Sequence, residues 1–79
     1  MRRVFSSIEV ECRNDVPARV HWNDTSYRVE SLVECWVVET RWWADADFSR
    51  RVYYRLYTDR GVLEVFRSGE RWILARVSD

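Results

Sequence analysis

Residues 51–77 decide the fold: Arg51-Val52-Tyr53-Tyr54-Arg55-Leu56-Tyr57-Thr58-Asp59-Arg60-Gly61-Val62-Leu63-Glu64-Val65-Phe66-Arg67-Ser68-Gly69-Glu70-Arg71-Trp72-Ile73-Leu74-Ala75-Arg76-Val77. Short runs of β-branched and aromatic residues alternate with polar ones, and two glycine-bearing breaks divide them. That is the pattern of an antiparallel meander. Centring tight turns on Arg60-Gly61 and Ser68-Gly69 puts glycine where φ must be positive. In that register Leu56 faces Val65, Tyr54 faces Arg67, Val65 faces Trp72 and Arg67 faces Glu70. One sheet face then collects Leu56, Leu63, Val65, Trp72 and Leu74. The other carries the rows Tyr57–Glu64–Ile73 and Arg55–Phe66–Arg71. A slip of one residue would mix the faces, so the segregation argues for this register. A three-residue loop with Gly61 as a bulge is the alternative.

Outward from the meander the chain stays strand-like. Further strands are expected near 3–12, 17–22, 26–31 and 35–43, with the meander strands near 51–58, 62–67 and 70–77. Asn14-Asp15, Asn23-Asp24 and the stretch 44–49 punctuate them. Pro17 sits at a strand start, where its missing N–H does least harm. In the strand 35–43, Trp36, Val38, Thr40 and Trp42 share one face. Cys35, Val37, Glu39, Arg41 and Trp43 share the other, and its charges mark it as the wetter one. Trp42 is therefore expected in the core and Trp43 near the surface. The fold class is all-β: one domain, a small barrel-like, strongly curved antiparallel sheet of about five to seven short strands.

Composition supports this and narrows function. The chain has 79 residues, of which 47% are hydrophobic and 15% aromatic. A domain this small buries only about 60% of its unfolded surface, so it needs large side chains in its core. Its 13 basic residues balance 13 acidic ones, and every basic residue is arginine. A net charge of zero argues against a strong electrostatic nucleic-acid binder. The basic residues concentrate late, however, with seven arginines against three acids between residues 50 and 76. No apolar run is long enough for a membrane span or a signal-peptide core, so a cytoplasmic location is expected. Cys12 and Cys35 read as reduced thiols buried on strands.

Catalytic chemistry finds little support. His21 is the only imidazole, no nucleophile is spaced to use it, and it reads as a surface-facing strand residue. Asp45 and Asp47 lie on a polar loop and read as a solvated turn. No glycine-rich phosphate loop or zinc spacing is present. The chain is therefore expected to be non-enzymatic and to need no cofactor or metal. Two binding readings remain. Trp43, Tyr53, Arg55, Tyr57, Phe66 and Arg71 form a candidate aromatic and arginine surface. Such a surface suits a protein partner, reached by edge-strand pairing or by docking of the aromatic face. It also suits weak binding of single-stranded nucleic acid, with bases on rings and phosphates on guanidinium forks. The competing structural reading is plain cation–π packing on a sheet face. A homodimer is compatible with either.

The quoted meander, with Pro17-Ala18-Arg19-Val20-His21-Trp22, Tyr27-Arg28-Val29, Trp36, Trp42-Trp43, Tyr53-Tyr54-Arg55, Val65-Phe66-Arg67, Trp72-Ile73-Leu74 and the ending Arg76-Val77-Ser78-Asp79, resembles a small bacterial domain family of unknown function. Members occur alone, and a similar segment ends the ImuB-type proteins, catalytically degenerate relatives of Y-family translesion polymerases. The resemblance covers nearly the whole chain and departs after Trp22, where Asn23-Asp24 stands in place of a glycine-basic turn. It implies a bacterial cytosolic protein, a link to DNA damage tolerance and no catalytic residue. The leading expectation is a protein-interaction module in a repair or lesion-bypass assembly.

Overall fold

The structure is a computed structural model that describes residues 1–41 and 48–78, with side chains described for 1–39 and 50–78. Six antiparallel strands, β1 (Arg2–Arg13), β2 (Val16–Trp22), β3 (Thr25–Arg41), β4 (Phe48–Thr58), β5 (Gly61–Ser68) and β6 (Arg71–Ser78), close into a barrel in sequence order. Each neighbouring pair is a hairpin, and β1 meets β6 to close the ring. The expected pair of strands at 26–31 and 35–43 is a single strand, β3. Irregularities between Val29 and Ser31 and between Leu32 and Glu34 bend it without ending it.

Turn chemistry explains the hairpins. Asn14 and Asp15 both have positive φ, as do Asn23 and Asp24. These are the two residue types that enter the left-handed region most readily, and paired positive φ angles match the twist of a two-residue hairpin. The two glycine turns differ from the expected register. The β4–β5 turn centres on Asp59-Arg60, with Thr58 paired to Gly61. Gly61 follows the turn at φ 114, as a bulge glycine does. The Thr58 hydroxyl donates to the Gly61 carbonyl at 2.7 Å and accepts from the Arg60 amide at 3.1 Å. The β5–β6 turn centres on Gly69-Glu70, with Gly69 at φ 62 in the first central position.

The β4–β5 pairing therefore shifts by two residues, as does the β5–β6 pairing from Val65 to Ser68; before the irregularity at Glu64 the latter shifts by three, and Leu63 faces Val77. Leu56 faces Leu63, Tyr54 faces Val65, and Val65 faces Leu74. An even shift preserves the faces while replacing every cross-strand neighbour. The rows Arg55–Phe66–Arg71 and Tyr57–Glu64–Ile73 do not exist. Arg55 faces Glu64, Tyr57 faces Val62, Phe66 lies between Tyr53 and Ile73, and Arg71 faces Ser68. Arg67 faces Trp72 instead of Glu70.

The expected inner face is the core. Leu56, Leu63, Val65 and Leu74 are fully buried with Val20, and Val77 joins them. Val4, Ile8, Val10, Trp22, Tyr27, Val29, Tyr54 and Trp72 pack around this centre. The Trp22 indole N–H donates to the Ser6 hydroxyl at 3.2 Å, linking β2 to β1 and giving the part-buried donor a partner. On β3 the face expected in the core does not reach it, while the face of Cys35, Val37 and Glu39 is exposed as expected. Trp36 is half-buried and stacks on Tyr53, outside the core cluster. The irregularity at Leu32 and Glu34 resets the side-chain alternation, which the spacing 35–43 alone does not reveal. Trp42 and Trp43 lie outside the described residues.

The cysteines also differ from expectation, since both are exposed. Cys12 lies near the end of β1 opposite Pro17, and Cys35 lies opposite Tyr54. Partial burial still pushes the Cys12 thiol above its ordinary value, with nearby Arg67 opposing the shift. Both thiols should therefore react with a disulfide reagent in the native state, Cys12 the more slowly. A native protein that titrates no thiol until denatured would contradict these placements. Leu56→Ala removes a fully buried side chain from the centre of the ring and should cost about 2–5 kcal/mol in urea unfolding.

Candidate functional site

The aromatic and arginine face lies outside the barrel, on β3, β4, β5 and β1. Its alternation follows from the core: Tyr54 and Val65 point in, so Tyr53 and Phe66 point out. Trp36 stacks on Tyr53 with ring centroids 5.2 Å apart and planes within 6°. Tyr53 meets Phe66 at 5.0 Å and 37°. Phe5 of β1 completes the row, edge-on to Phe66 at 6.4 Å and 66°. The separations lie in the range of favourable aromatic pairs, each worth about 0.5–1.5 kcal/mol beyond its buried area.

Phe5 belongs to this row because of a bulge. Arg3 pairs with Arg76 and Ser6 with Leu74, so Val4 and Phe5 together oppose the single residue Ala75. Ala75 is also the residue skipped between β5 and β6, where Glu64 pairs with Arg76 and Val65 with Leu74. Val4 packs on the core, while Phe5 is 53% exposed on the outer face. Its φ of 53 lies in the left-handed region, which costs a bulky residue about 1–2 kcal/mol. Nothing in the sequence pattern marks Phe5, because the bulge depends on Ala75 of the neighbouring strand β6.

Arginines cover the rings. The Arg51 guanidinium lies 4.8 Å from the Phe66 ring centre and Nη1 donates to the Tyr53 hydroxyl at 3.4 Å. Arg3 lies 5.8 Å from the Phe5 ring. Arg55 sits 5.5 Å from the Trp36 ring and bridges two carboxylates, Glu34 at 2.8 Å and the buried Glu64 at 3.2 Å. Its Nε is buried without a partner among the described residues. Glu64 pairs across the strands with Arg55, and that opposition is what permits its burial.

The expected site residues therefore separate. Tyr53, Arg55 and Phe66 are brought together, but as a packed layer: Phe66 is only 4% exposed and Arg55 is committed to two glutamates. Arg71 stays exposed at the end of the row, beside Phe5, Arg51 and Phe66 in one recess. Tyr57 is exposed on the outer side of β4 and takes no part in the row. Trp43 lies outside the described residues. Phe5, Arg3, Arg51 and Trp36, the last expected in the core, are the members that sequence reasoning missed. Arg51 carried a signal in its two-residue spacing from Tyr53.

His21 approaches Glu11 across the β1–β2 pair through Nε2. That hydrogen bond holds the exposed Glu11 carboxyl below its ordinary value. No nucleophile is hydrogen-bonded to this pair among the described residues.

A second surface is made by β3 itself. Arg19 to Trp22 of β2 ladder with Thr25 to Arg28, and from Val29 onward β3 pairs only with β4. Its other edge has no strand partner among the described residues. Beyond Val37, the β3–β4 ribbon also runs past β5, since β5 begins its pairing with β4 at Val52. Leu32, Val33, Val37 and Val38 on this strand are all exposed.

Glu64→Ala should destabilise the fold by about 1–3 kcal/mol, because it strips a charged partner from the half-buried Arg55. Glu34→Ala, which removes an exposed partner, should cost under about 1 kcal/mol. Urea unfolding of both variants checks the ordering, and equal costs would contradict the layered arrangement. Comparison of the chain with protein-family models, with curated proteins and with solved structures gave no match.

Proposed function

We propose that the chain is a non-enzymatic protein-interaction module that takes an extended partner segment onto the free edge of β3. The observation that carries this reading is the edge beyond Arg28, which has no strand partner among the described residues, together with the exposed Leu32, Val33, Val37 and Val38. A sheet edge offers a row of backbone donors and acceptors, and adding a strand satisfies them. Folded proteins blunt such edges with lysine, proline or bulges. Here the irregularities end at Glu34, and Cys35–Arg41 pairs with β4 in unbroken register. That stretch contains neither lysine nor proline, and its only charges are Glu39 and Arg41. Main-chain bonds would supply affinity, and the exposed valines would add apolar contact on both faces of the added strand.

The resemblance to the segment that ends ImuB-type proteins supports a partner from a bacterial lesion-bypass assembly. That link rests on the quoted residues and on nothing in the geometry. A second copy of the chain is the alternative occupant of the same edge.

Val37→Lys tests the reading without disturbing the core, since Val37 is exposed. Stability should change by no more than about 0.5 kcal/mol. Partner capture from the native cytosol should be lost. If the native chain is a dimer by light scattering and Val37→Lys is a monomer, the edge is used by a second copy. A variant that keeps both the captured proteins and the native mass would refute the edge as the binding surface.

A further inference from the structure

We propose a separate ligand site on the outer face, in the recess beside Phe5, which takes one nucleotide unit: a phosphate with its attached base. The recess has a volume of about 330 Å³ and is lined by Phe5, Arg51, Phe66, Ser68, Arg71 and Ile73. That is the lower end of the usual range for small-molecule sites, about 300–1,000 Å³, and fits a ligand of nucleotide size. Phe66 and Ile73 give it an apolar floor. Arg51, Arg71 and the Ser68 hydroxyl give it polar groups of one kind, suited to an anion.

The two arginines differ from Arg55 in a way that matters. Arg55 is saturated by Glu34 and Glu64. Among the described residues, no carboxylate forms an ion pair with Arg51 or Arg71. Arg51 is held in place by the Phe66 ring and the Tyr53 hydroxyl, which leaves most of its fork unused. A positioned guanidinium with spare donors, a second one opposite and a hydroxyl between them match the several acceptor oxygens of a phosphate.

Phe5 supplies the other half of the specificity. Trp36 and Tyr53 stack on each other, Arg55 lies over Trp36, and Phe66 is covered by Arg51 and its ring neighbours, whereas Phe5 carries Arg3 at 5.8 Å and one edge contact with Phe66. Phe5 alone is largely exposed, and it borders the recess. It is held there in a left-handed conformation by the bulge opposite Ala75. Strained residues of this kind cluster where a protein clamps a ligand. A planar base stacked on Phe5 leaves its phosphate within the span of the Arg51 and Arg71 forks. One largely exposed ring allows one stacked base, so the unit bound is a single nucleotide. Free mononucleotides and one unit of a single strand present the same chemistry.

The site is tested by calorimetry at about 50 mM salt, where phosphate contacts are strongest. The probes are deoxyadenosine monophosphate, deoxyadenosine, inorganic phosphate and a short oligodeoxyadenylate. The monophosphate or the oligonucleotide should bind more tightly than deoxyadenosine or phosphate. Binding of the monophosphate alone assigns the site to free nucleotides, and preference for the oligonucleotide assigns it to single strands. Arg71→Gln, at an exposed position, should weaken binding about tenfold and lower the salt slope by about one. Phe5→Leu should bring the monophosphate down to the level of phosphate. Absence of binding by all four probes would overturn the proposal, as would binding that neither variant alters. Inorganic phosphate binding as tightly as the monophosphate would overturn the stacked base. None of these outcomes depends on the β3 edge.

Discussion

The fully buried centre of the six-stranded ring is filled by aliphatic side chains. The largest fully buried side chains are Leu56, Leu63, Leu74, Val20, Val65 and Pro17, with no aromatic among them. Aromatic residues make up 15% of the chain, so their rings must go elsewhere. Trp22, Tyr27, Tyr54 and Trp72 pack around the aliphatic centre, and Tyr54 and Trp72 meet at 5.6 Å. Trp36, Tyr53, Phe66 and Phe5 form a second layer outside the barrel wall. This displacement organises the rest of the molecule. An outer row of rings needs cover, and arginine provides it by lying flat on rings while keeping its charge in water. The absence of lysine acquires a local physical meaning at Arg51 and Arg55, where a planar cation does what an ammonium cannot.

Closure of so small a ring demands sharp local bends, and Ala75 supplies one. Both neighbouring strands skip it, which lets β6 turn and lets β1 present Val4 inward and Phe5 outward. β3 provides the other bend. Its first residues ladder with β2, its remainder ladders with β4, and the irregularities between Val29 and Glu34 join the two parts. The same bend that closes the barrel releases the edge of β3 beyond Arg28. The two surfaces with a functional reading, the recess at Phe5 and the edge of β3, are thus by-products of the two places where the ring is forced shut.

Much of this is legible in the sequence, and the boundary of legibility has a physical cause. The period-two alternation gave the fold class and the inner face of the meander, because Leu56, Leu63, Val65 and Leu74 have no other place to be buried. Asn14-Asp15 and Asn23-Asp24 marked their hairpins, because few other residues tolerate paired positive φ angles. The register did not follow from glycine alone. A glycine serves a turn either in its first central position, as Gly69 does, or just after it, as Gly61 does, and the sequence looks the same in each case. Bulges were hidden for a related reason. The irregularities at Phe5 and Glu34 answer to residues on other strands, so the place of Trp36 in the outer row is not readable from its spacing, and nothing marks Phe5.

Amide hydrogen exchange followed by NMR tests the closed ring most directly. Residues Ser6, Ser7 and Ile8 of β1 ladder with Leu74, Ile73 and Trp72 of β6. The account predicts that hydrogen-bonded amides in this ladder exchange as slowly as those between Leu56 and Leu63, because the ring opens only by global unfolding. Amides on the free edge of β3 should exchange rapidly under the same conditions. Rapid exchange throughout the β1–β6 ladder, with protection confined to the β4–β5–β6 meander, would contradict the barrel and the layered arrangement that depends on it.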